Sequence, residues 1–282
     1  MKFISIFISL LFINTSCSKQ GTAPADEIDD AETNDSICTN CIWLQNSCND
    51  NNWFIGYNTD IPIGGFQFNI DGVLINSSSA GNATEAAGFT VQSNGNTTLG
   101  FSLSGATVSG EGILATFYLQ GNPSGLSNII ISDSIGNTLD NISYYGIVGC
   151  YYSSLLENTG ESQLTILNNS ISNLEIGDQI GIFDLSGIIN YNDCSNQIGE
   201  VLVGSGVWDG EQLNIVSIGS VDLCALEGVQ LSGFVEGNPL IMKIYRPGNE
   251  KNYLANISWE VGSGYFGELI QSISNITLTQ LN

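Results

Sequence analysis

An all-β fold is predicted for this sequence by three observations: short runs in which apolar residues alternate, turn-forming residues between those runs, and no amphipathic helix pattern of about ten residues or more. In the run ILATFYLQ, Ile113, Ala115, Phe117 and Leu119 fall on one face, as a half-buried strand requires. The runs recur at spacings of about 8 to 12 residues, which is typical of a β-sandwich.

The predicted strands divide into two sets along the chain. The first set comprises GFQFNID from Gly65, TTLGFSLSG from Thr97, ILATFYLQG from Ile113 and NIIISDS from Asn128. The second comprises LTILN from Leu164, DQIGIFDL from Asp178, EVLVGSGVW from Glu200, LNIVSIG from Leu213, PLIMKIYRP from Pro239 and NYLANISWEV from Asn252. Between them GCYYSSLLENTGES breaks the pattern with Gly, Ser and Asn. We expect two tandem β-sandwich domains, residues 52–148 and 158–282, and one large sandwich is the alternative.

The first residues indicate export. Lys2 precedes an apolar run from Phe3 to Ile13, which is too short for the roughly 20 residues of a membrane-spanning helix. Residues 1–16 are therefore interpreted as a signal peptide. Ser16 followed by Cys17 resembles the lipobox of bacterial lipoproteins, although Asn14 stands where that motif has an aliphatic residue. The resemblance implies that Cys17 is lipidated and anchors the protein at the outer membrane or cell surface; secretion without lipid is the alternative.

The segment after Cys17 is rich in carboxylates and poor in apolar residues, so we expect a disordered acidic tether over residues 17–37. A cysteine-rich lead-in, 38–51, follows. The whole chain has 5 basic and 28 acidic residues and a net charge of -23. Because the folded region offers only Lys243, Arg246 and Lys251 to a phosphate backbone, nucleic acid is excluded as a partner. Contact with a membrane is expected only through the lipid.

Once Cys17 is assigned to lipid, six cysteines are left for disulfides in an oxidising compartment: Cys38, Cys41, Cys48, Cys150, Cys194 and Cys224. Only Cys194 and Cys224 lie beyond residue 150, so they are the preferred pair. Cys150 is then expected to join one of the three cysteines of the lead-in.

Both halves resemble known extracellular modules. The strings IPIGGFQFNIDG at 61–72, GFTVQSNGNTTLGFSLSGATVSGEGILATFYLQ at 88–120 and NIIISDSIGNTL at 128–139 follow the strand order of the cohesin family and of related carbohydrate-binding sandwiches. This resemblance implies the fold of the first half, about 52–145, but does not locate a dockerin-binding face. The strings LEIGDQIGIFD, GEVLVGSGVWDGE and GFVEGNPLIMKIYRP resemble an extracellular module of Bacteroidota, about 158–282, which implies a β-sandwich and no particular ligand.

Catalysis is not expected. The chain has no histidine, which removes Ser-His-Asp and Cys-His mechanisms and histidine-bound zinc. No serine has the glycine spacing of a nucleophile elbow. Paired carboxylates could still support glycoside hydrolysis, but no spacing selects a pair among the 28 acids.

Aromatic side chains are the expected device for binding sugars, because a flat ring offers apolar area and a polar tip. Trp208, Trp259 and Tyr118 are the preferred candidates, with Trp208 first because GSGVWDGE places it at a strand end beside a loop. Further choices are Tyr144, Tyr145, Tyr151 and Tyr152. For any one tryptophan, burial in a core is the commoner explanation.

No cofactor is expected; Ca²⁺ is the alternative, with Asp178, Asp184 and Asp193 as its candidate ligands. Aspartates are also frequent in turns, and the spacing of an EF-hand is absent. We therefore predict a surface-anchored, non-catalytic binding or adhesion lipoprotein whose first candidate ligand is a polysaccharide. The alternatives are a cohesin-like protein-docking or extracellular structural module and, last, a glycan-degrading enzyme with paired carboxylates.

Overall fold

The computed structural model describes residues 37–48, 51–154 and 156–281. The predicted signal peptide, Cys17 and the tether up to residue 36 lie outside these residues. Those described belong to one compact unit, Asp35–Asn282. Apart from a five-residue α-helix and a three-residue 3₁₀ helix, their regular elements are strands, which confirms the all-β prediction.

The elements of the N-terminal sandwich are β1 Cys41–Asn46, β2 Asn52–Ile63, β3 Gly65–Asp71, β4 Leu74–Ala80, α1 Asn82–Ala86, β5 Phe89–Asn94, β6 Thr97–Ser102, β7 Val108–Gln120, β8 Gly125–Ser132 and β9 Ser143–Val148. They form a five-stranded sheet in the order β4-β7-β2-β1-β9 and a four-stranded sheet in the order β5-β6-β3-β8. Apolar side chains of both sheets, among them Leu44, Ile55 and Phe68, enclose one core. Burial of such side chains drives the two sheets together.

The lead-in predicted for residues 38–51 contains a strand of this sandwich. β1 lies inside the five-stranded sheet, antiparallel to β2 and parallel to β9. Its residues Cys41 to Leu44 have no exposed surface. The sandwich therefore begins before residue 52. The sequence analysis does not place β1 in the sandwich, because its partner β9 lies about 100 residues further along the chain and no local sequence pattern indicates that pairing.

The elements of the C-terminal sandwich are β10 Ser162–Leu167, β11 Gln179–Ile188, β12 Ile198–Val207, β13 Leu213–Ile218, β14 Val221–Asp222, the 3₁₀ helix Cys224–Leu226, β15 Gln230–Leu231, β16 Ile241–Arg246, β17 Lys251–Val261 and β18 Ile270–Gln280. Seven of the strands form one sheet in the order β12-β11-β16-β17-β18-β10-β13, and β14 pairs with β15.

The seven-stranded sheet curls until its two edge strands, β12 and β13, pack against each other. Glycine makes this approach possible: a Cβ on Gly204 of β12 would lie 2.9 Å from the carbonyl oxygen of Val216 in β13. Ile182, Met242 and Ile273 belong to the core that the curled sheet encloses. One sheet thus serves as both layers of the sandwich.

The two sandwiches contact each other through buried groups. Trp43 of β1 has no exposed surface and donates from Nε1 to Gln45 Oε1 at 2.9 Å. Gln45 in turn donates to the carbonyl oxygen of Gly177 at 3.0 Å. Elsewhere Asn82 Nδ2 donates to the carbonyl oxygen of Asp209 at 2.8 Å. Each sandwich has its own core, and the domain boundary near residues 148–158 stays a prediction.

Disulfides are present as the sequence predicts. They join Cys194 to Cys224, Cys48 to Cys150, and Cys38 to Cys41. Such bonds are typical of proteins in oxidising, extracytoplasmic compartments. Within the described ranges, no helix is long and apolar enough to span a bilayer.

Candidate functional site: a tyrosine-lined cleft

An open cleft of about 770 Å³ lies on the C-terminal sandwich beside the segment that connects the two sandwiches. We call it the tyrosine cleft. Its lining consists of Tyr151, Tyr152, Phe183, Glu200, Leu202, Lys243, Glu250, Lys251, Asn252 and Leu281. It thus combines aromatic rings with amide, ammonium and carboxylate groups.

The connecting segment is held at the cleft by covalent and polar bonds. The disulfide Cys48–Cys150 fixes the residue before the tyrosines. Gln179 of β11 accepts the N–H of Tyr151 at 2.5 Å and donates to the carbonyl oxygen of Gly149 at 2.6 Å. Because these two bonds bracket Cys150, the backbone that carries Tyr151 and Tyr152 is positioned before any ligand arrives.

The aromatic rings form an ordered cluster. Tyr151 stacks on Tyr245 of β16 with a centroid distance of 4.1 Å and an interplanar angle of 9°. Tyr152 meets Tyr151 edge to face at 5.0 Å and Phe183 at 5.5 Å. Tyr152 is buried, whereas Tyr151 keeps 54% of its surface exposed. Tyr151 is therefore a supported ring that still offers surface to a ligand.

Asn252 links the two hydroxyl groups of the tyrosine pair. Its Oδ1 accepts from the Tyr152 hydroxyl at 3.0 Å, and its Nδ2 donates to the Tyr151 hydroxyl oxygen at 3.0 Å. Burial raises the pKa of Tyr152 well above its ordinary value, and the neighbouring Tyr151 and Glu200 raise it further. Burial and then the charge of Glu250 also raise the pKa of Tyr245. Both phenols therefore stay protonated at neutral pH.

Charged groups surround the rings. Lys243 Nζ lies 2.6 Å from Glu200 Oε1 and 4.4 Å from the centroid of the Phe183 ring, so its charge is already engaged. Lys251 and Glu250 line the cleft beside each other at the start of β17. Two of the three cations of the described residues thus lie in this cleft, in a chain of net charge -23.

The preferred sequence candidate, Trp208, is not in the cleft. Only 2% of its surface is exposed, and it packs in the core of the C-terminal sandwich. Its backbone exchanges hydrogen bonds with Asp178 and Gly177. The prediction that Trp208 offers a ring to a ligand is wrong, because its ring is buried among the apolar side chains of that core.

Trp259 and Tyr118 lie elsewhere. Trp259 is half-buried against the C-terminal core, and a Cβ on Gly264 would lie 2.6 Å from its Nε1. Tyr118 is 42% exposed and lines a separate groove of about 450 Å³ with Trp53 and Thr116 of the N-terminal sandwich. The three predicted aromatic residues are therefore not brought together.

The cleft itself contains residues that sequence reasoning considered and others that it missed. Tyr151 and Tyr152 are among the further choices of the sequence analysis, and Lys243 enters it only as a contact for phosphate. Phe183 is not among its candidates, and neither is Tyr245, which stacks on Tyr151 but does not line the cleft. A doublet of tyrosines beside a disulfide-bonded cysteine is the local signal that could have given Tyr151 preference. Tyr245 carries no comparable signal, since it alternates with apolar residues like any strand residue.

The three aspartates weighed as Ca²⁺ ligands have other partners. Asp178 is 1% exposed and accepts from Arg246 Nε at 2.9 Å and Nη2 at 2.7 Å. Asp184, equally buried, accepts the N–H of Val235 at 2.8 Å and the Nδ2 of Asn238 at 3.0 Å.

Asp193 accepts from Asn190, and from the backbone and hydroxyl of Ser195, in a turn. These bonds lower the pKa of Asp193, Ser195 contributing most. In the part of the chain that the structure describes, no group of three or more His, Cys, Asp or Glu residues could hold a metal ion. The three aspartates therefore stabilise turns and an ion pair, and they do not form one site.

Together these features define the class of protein: an all-β, disulfide-bonded chain of two sandwiches with an open aromatic cleft. No protein-family model matches the sequence, and no curated protein matches it. Among solved structures, the chain is similar to a non-cellulosomal cohesin from the hyperthermophilic archaeon Archaeoglobus fulgidus, with 19% sequence identity, coverage of 39% of this chain and 86% of that chain, and a TM-score of 0.29. No conclusion about family or partner follows from a TM-score of that size.

Proposed function

We propose that this protein is an exported, non-catalytic binding protein that holds a polysaccharide in the tyrosine cleft. The observation that carries the proposal is the exposed ring of Tyr151, supported from behind by Tyr245 and fixed at its hydroxyl group by Asn252. An aromatic ring held in place in this way loses little conformational entropy when a ligand lies against it.

The chemistry of the cleft suits a sugar chain. The apolar C–H face of a pyranose can lie against Tyr151, and its hydroxyl groups can exchange hydrogen bonds with Asn252, Glu250 and Lys251, which provide both acceptors and donors. The cleft is open, so a polymer could pass through it instead of ending in it.

A binding role fits the cleft better than hydrolysis does. Glycoside hydrolysis needs two carboxyl groups on either side of the scissile bond. Two glutamates line the cleft, and Glu200 forms an ion pair with Lys243 at 2.6 Å. Glu250 is then left without a second acid at this site, and the sequence supplies no histidine to replace it.

Anchoring through Cys17 completes the proposal. A lipid on Cys17 followed by a self-repelling acidic tether would hold the two sandwiches away from the membrane surface. The cleft would then face a polymer outside the membrane. The three disulfides support an extracytoplasmic location of this kind.

The test is retention of the mature chain carrying Cys17→Ser, secreted into an oxidising compartment, on a panel of insoluble and soluble polysaccharides. Tyr151→Ala should weaken retention about tenfold or more, because a central aromatic contact is removed. Tyr118→Ala is the matched control, since Tyr118 is an exposed tyrosine outside the cleft. It should bind like the parent.

If Tyr118→Ala abolishes retention and Tyr151→Ala leaves it intact, the polysaccharide binds in the groove of the N-terminal sandwich and not in the tyrosine cleft. If the protein binds no glycan of the panel, the polysaccharide proposal fails. Docking of a protein partner, or a structural role outside the cell, then becomes the leading hypothesis.

A further inference from the structure

A second cavity, of about 460 Å³, lies in the C-terminal sandwich and shares no lining residue with the tyrosine cleft. Three glutamates, Glu161, Glu236 and Glu268, line it together with Gln163 and Phe234. No lysine or arginine of the described residues is part of its lining. We call it the acidic cavity.

Glycines in the cavity wall make room for the glutamates. A Cβ on Gly267, which has φ +108°, would collide with Cγ of Glu236, and a Cβ on Gly219 would lie 3.0 Å from Cβ of Glu161. Glu268 is held by Ser263, whose N–H and hydroxyl both donate to it. The fold thus accommodates the three acidic side chains around one space.

A buried donor points to a ligand in the same place. Gln163 is 1% exposed, and its Oε1 accepts the N–H of Gly267 at 2.9 Å. Its Nε2 finds no hydrogen-bond partner among the described residues. A buried amide donor without a partner is costly, and an acceptor supplied by a ligand would relieve that cost.

These groups define the chemistry of the ligand. The carboxylates require positive charge, and Gln163 requires an oxygen acceptor near that charge. A metal ion is disfavoured, because none of the acidic groups in the described part of the chain is clustered closely enough to hold one. A guanidinium or ammonium group at the end of a flexible stem can reach separated carboxylates.

We propose that the acidic cavity binds a basic amino-acid side chain, arginine in the first place, whose own carbonyl oxygen accepts from Gln163 Nε2. Free arginine and a basic residue of a partner protein share this chemistry. The site is separate from polysaccharide binding and does not depend on it.

The experiment measures binding of Nα-acetyl-arginine amide to the mature chain with Cys17→Ser, by calorimetry at low ionic strength. Its neutral isostere, Nα-acetyl-citrulline amide, is the ligand control. We expect the arginine derivative to bind at least about tenfold more tightly, because the cavity recognises charge. The affinity should fall as salt is added.

Three variants locate the site. Glu236→Gln and Glu268→Gln should each weaken binding about tenfold, because each removes one charge-assisted hydrogen bond. Glu227→Gln removes the same charge from an exposed loop of the C-terminal sandwich and should leave binding unchanged. In addition, the side-chain amide resonance of Gln163 should shift when the ligand is added, which a purely structural role of Gln163 would not produce.

The source of the ligand is distinguished by comparing free arginine with a Gly-Arg-Gly peptide blocked at both ends. Tighter binding of the peptide identifies a partner protein, and tighter binding of free arginine identifies a soluble ligand. The proposal is overturned if neither probe binds below about 10 mM, if citrulline binds equally well, or if Glu227→Gln weakens binding as much as the cavity variants do.

Discussion

Glu111 of β7 is a residue whose protonation depends on the contact between the two sandwiches. Although Glu111 as a whole is exposed, its carboxyl group accepts the backbone N–H of Ile176 from the C-terminal sandwich. Partial burial, followed by the negative charges of Glu175 and Asp178, raises its pKa from 4.5 to about 7, against the opposing effect of Arg246. Glu111 is therefore largely protonated in mildly acidic solution.

This raised pKa predicts how stability depends on pH. The folded protein holds the Glu111 proton more tightly than the unfolded chain does, so Glu111 contributes stability that is fully present below pH 4.5 and is lost as the pH rises through about 7. Glu111→Gln resembles the protonated form at every pH. We expect this variant to be more stable than the parent at about pH 8 and equal to it at about pH 4.5.

Urea midpoints of the two proteins at both pH values provide the measurement. Tyr57 also faces Glu111, and burial followed by the charge of Glu111 raises the pKa of Tyr57 to about 12, outside this range. Asp60→Asn, on an exposed part of β2, is the control and should show no such difference. An equal gain of stability at both pH values for Glu111→Gln would contradict the raised pKa of Glu111.

Two aromatic residues show that the sequence alone does not predict which rings are exposed. Trp208 and Tyr151 both stand beside small or polar residues that indicate a loop. Trp208 is nevertheless 2% exposed and Tyr151 54% exposed. The difference comes from which neighbours fold over each ring, and those neighbours are distant in sequence.

At the scale of elements, the disulfide Cys48–Cys150 ties the end of β1 to the segment that follows β9. It joins residues 102 positions apart. The parallel pairing of β1 with β9 brings these cysteines to the same end of the sheet. The same bond positions Tyr151, the next residue along the chain, so an element of the fold and the candidate site depend on one linkage.

Replacing both Cys48 and Cys150 by Ala should therefore have two effects. The free energy of unfolding should fall by about 4 to 5 kcal/mol, because the unfolded chain regains the entropy of a loop of about 100 residues. Polysaccharide retention at the tyrosine cleft should weaken as well, because the backbone before Tyr151 is released.

Replacing Cys194 and Cys224 is the matched control. That disulfide lies away from the cleft and closes a loop of 30 residues. Its loss should lower the free energy of unfolding by about 3 to 4 kcal/mol and leave polysaccharide retention unchanged. Chemical denaturation measures the loss of stability in the two double variants, and glycan retention measures the effect of each on the cleft. Equal retention by both double variants would show that Tyr151 is positioned without the disulfide.

The curled sheet of the C-terminal sandwich could not be predicted from its strands alone. Each strand shows its alternation locally, but the meeting of β12 with β13 depends on how far the sheet twists. Small residues in β12, such as Gly204 and Gly206, are consistent with a close approach only after the partner strand is known.

On the scale of the whole molecule, the proposed export and anchoring would decide where the cleft and the acidic cavity operate. Cys17→Ser should convert a membrane-associated protein into a soluble one, because the lipid is the expected attachment and few basic residues are available to bind an anionic membrane. Fractionation of cells that export the parent and the variant is the measurement. Equal partitioning of the two into the membrane fraction would contradict lipidation at Cys17.

The all-β class and the pairing of Cys194 with Cys224 followed from the sequence by itself, because strand alternation, turn residues and cysteine positions are local or countable properties. Tertiary structure alone decided that Trp208 is buried, that Tyr151 stacks on Tyr245, and that three glutamates line one cavity with Gln163. These arrangements join residues up to about 100 positions apart. Which residues meet depends on the order and curvature of the sheets, and the two-residue period of a strand carries no information about either.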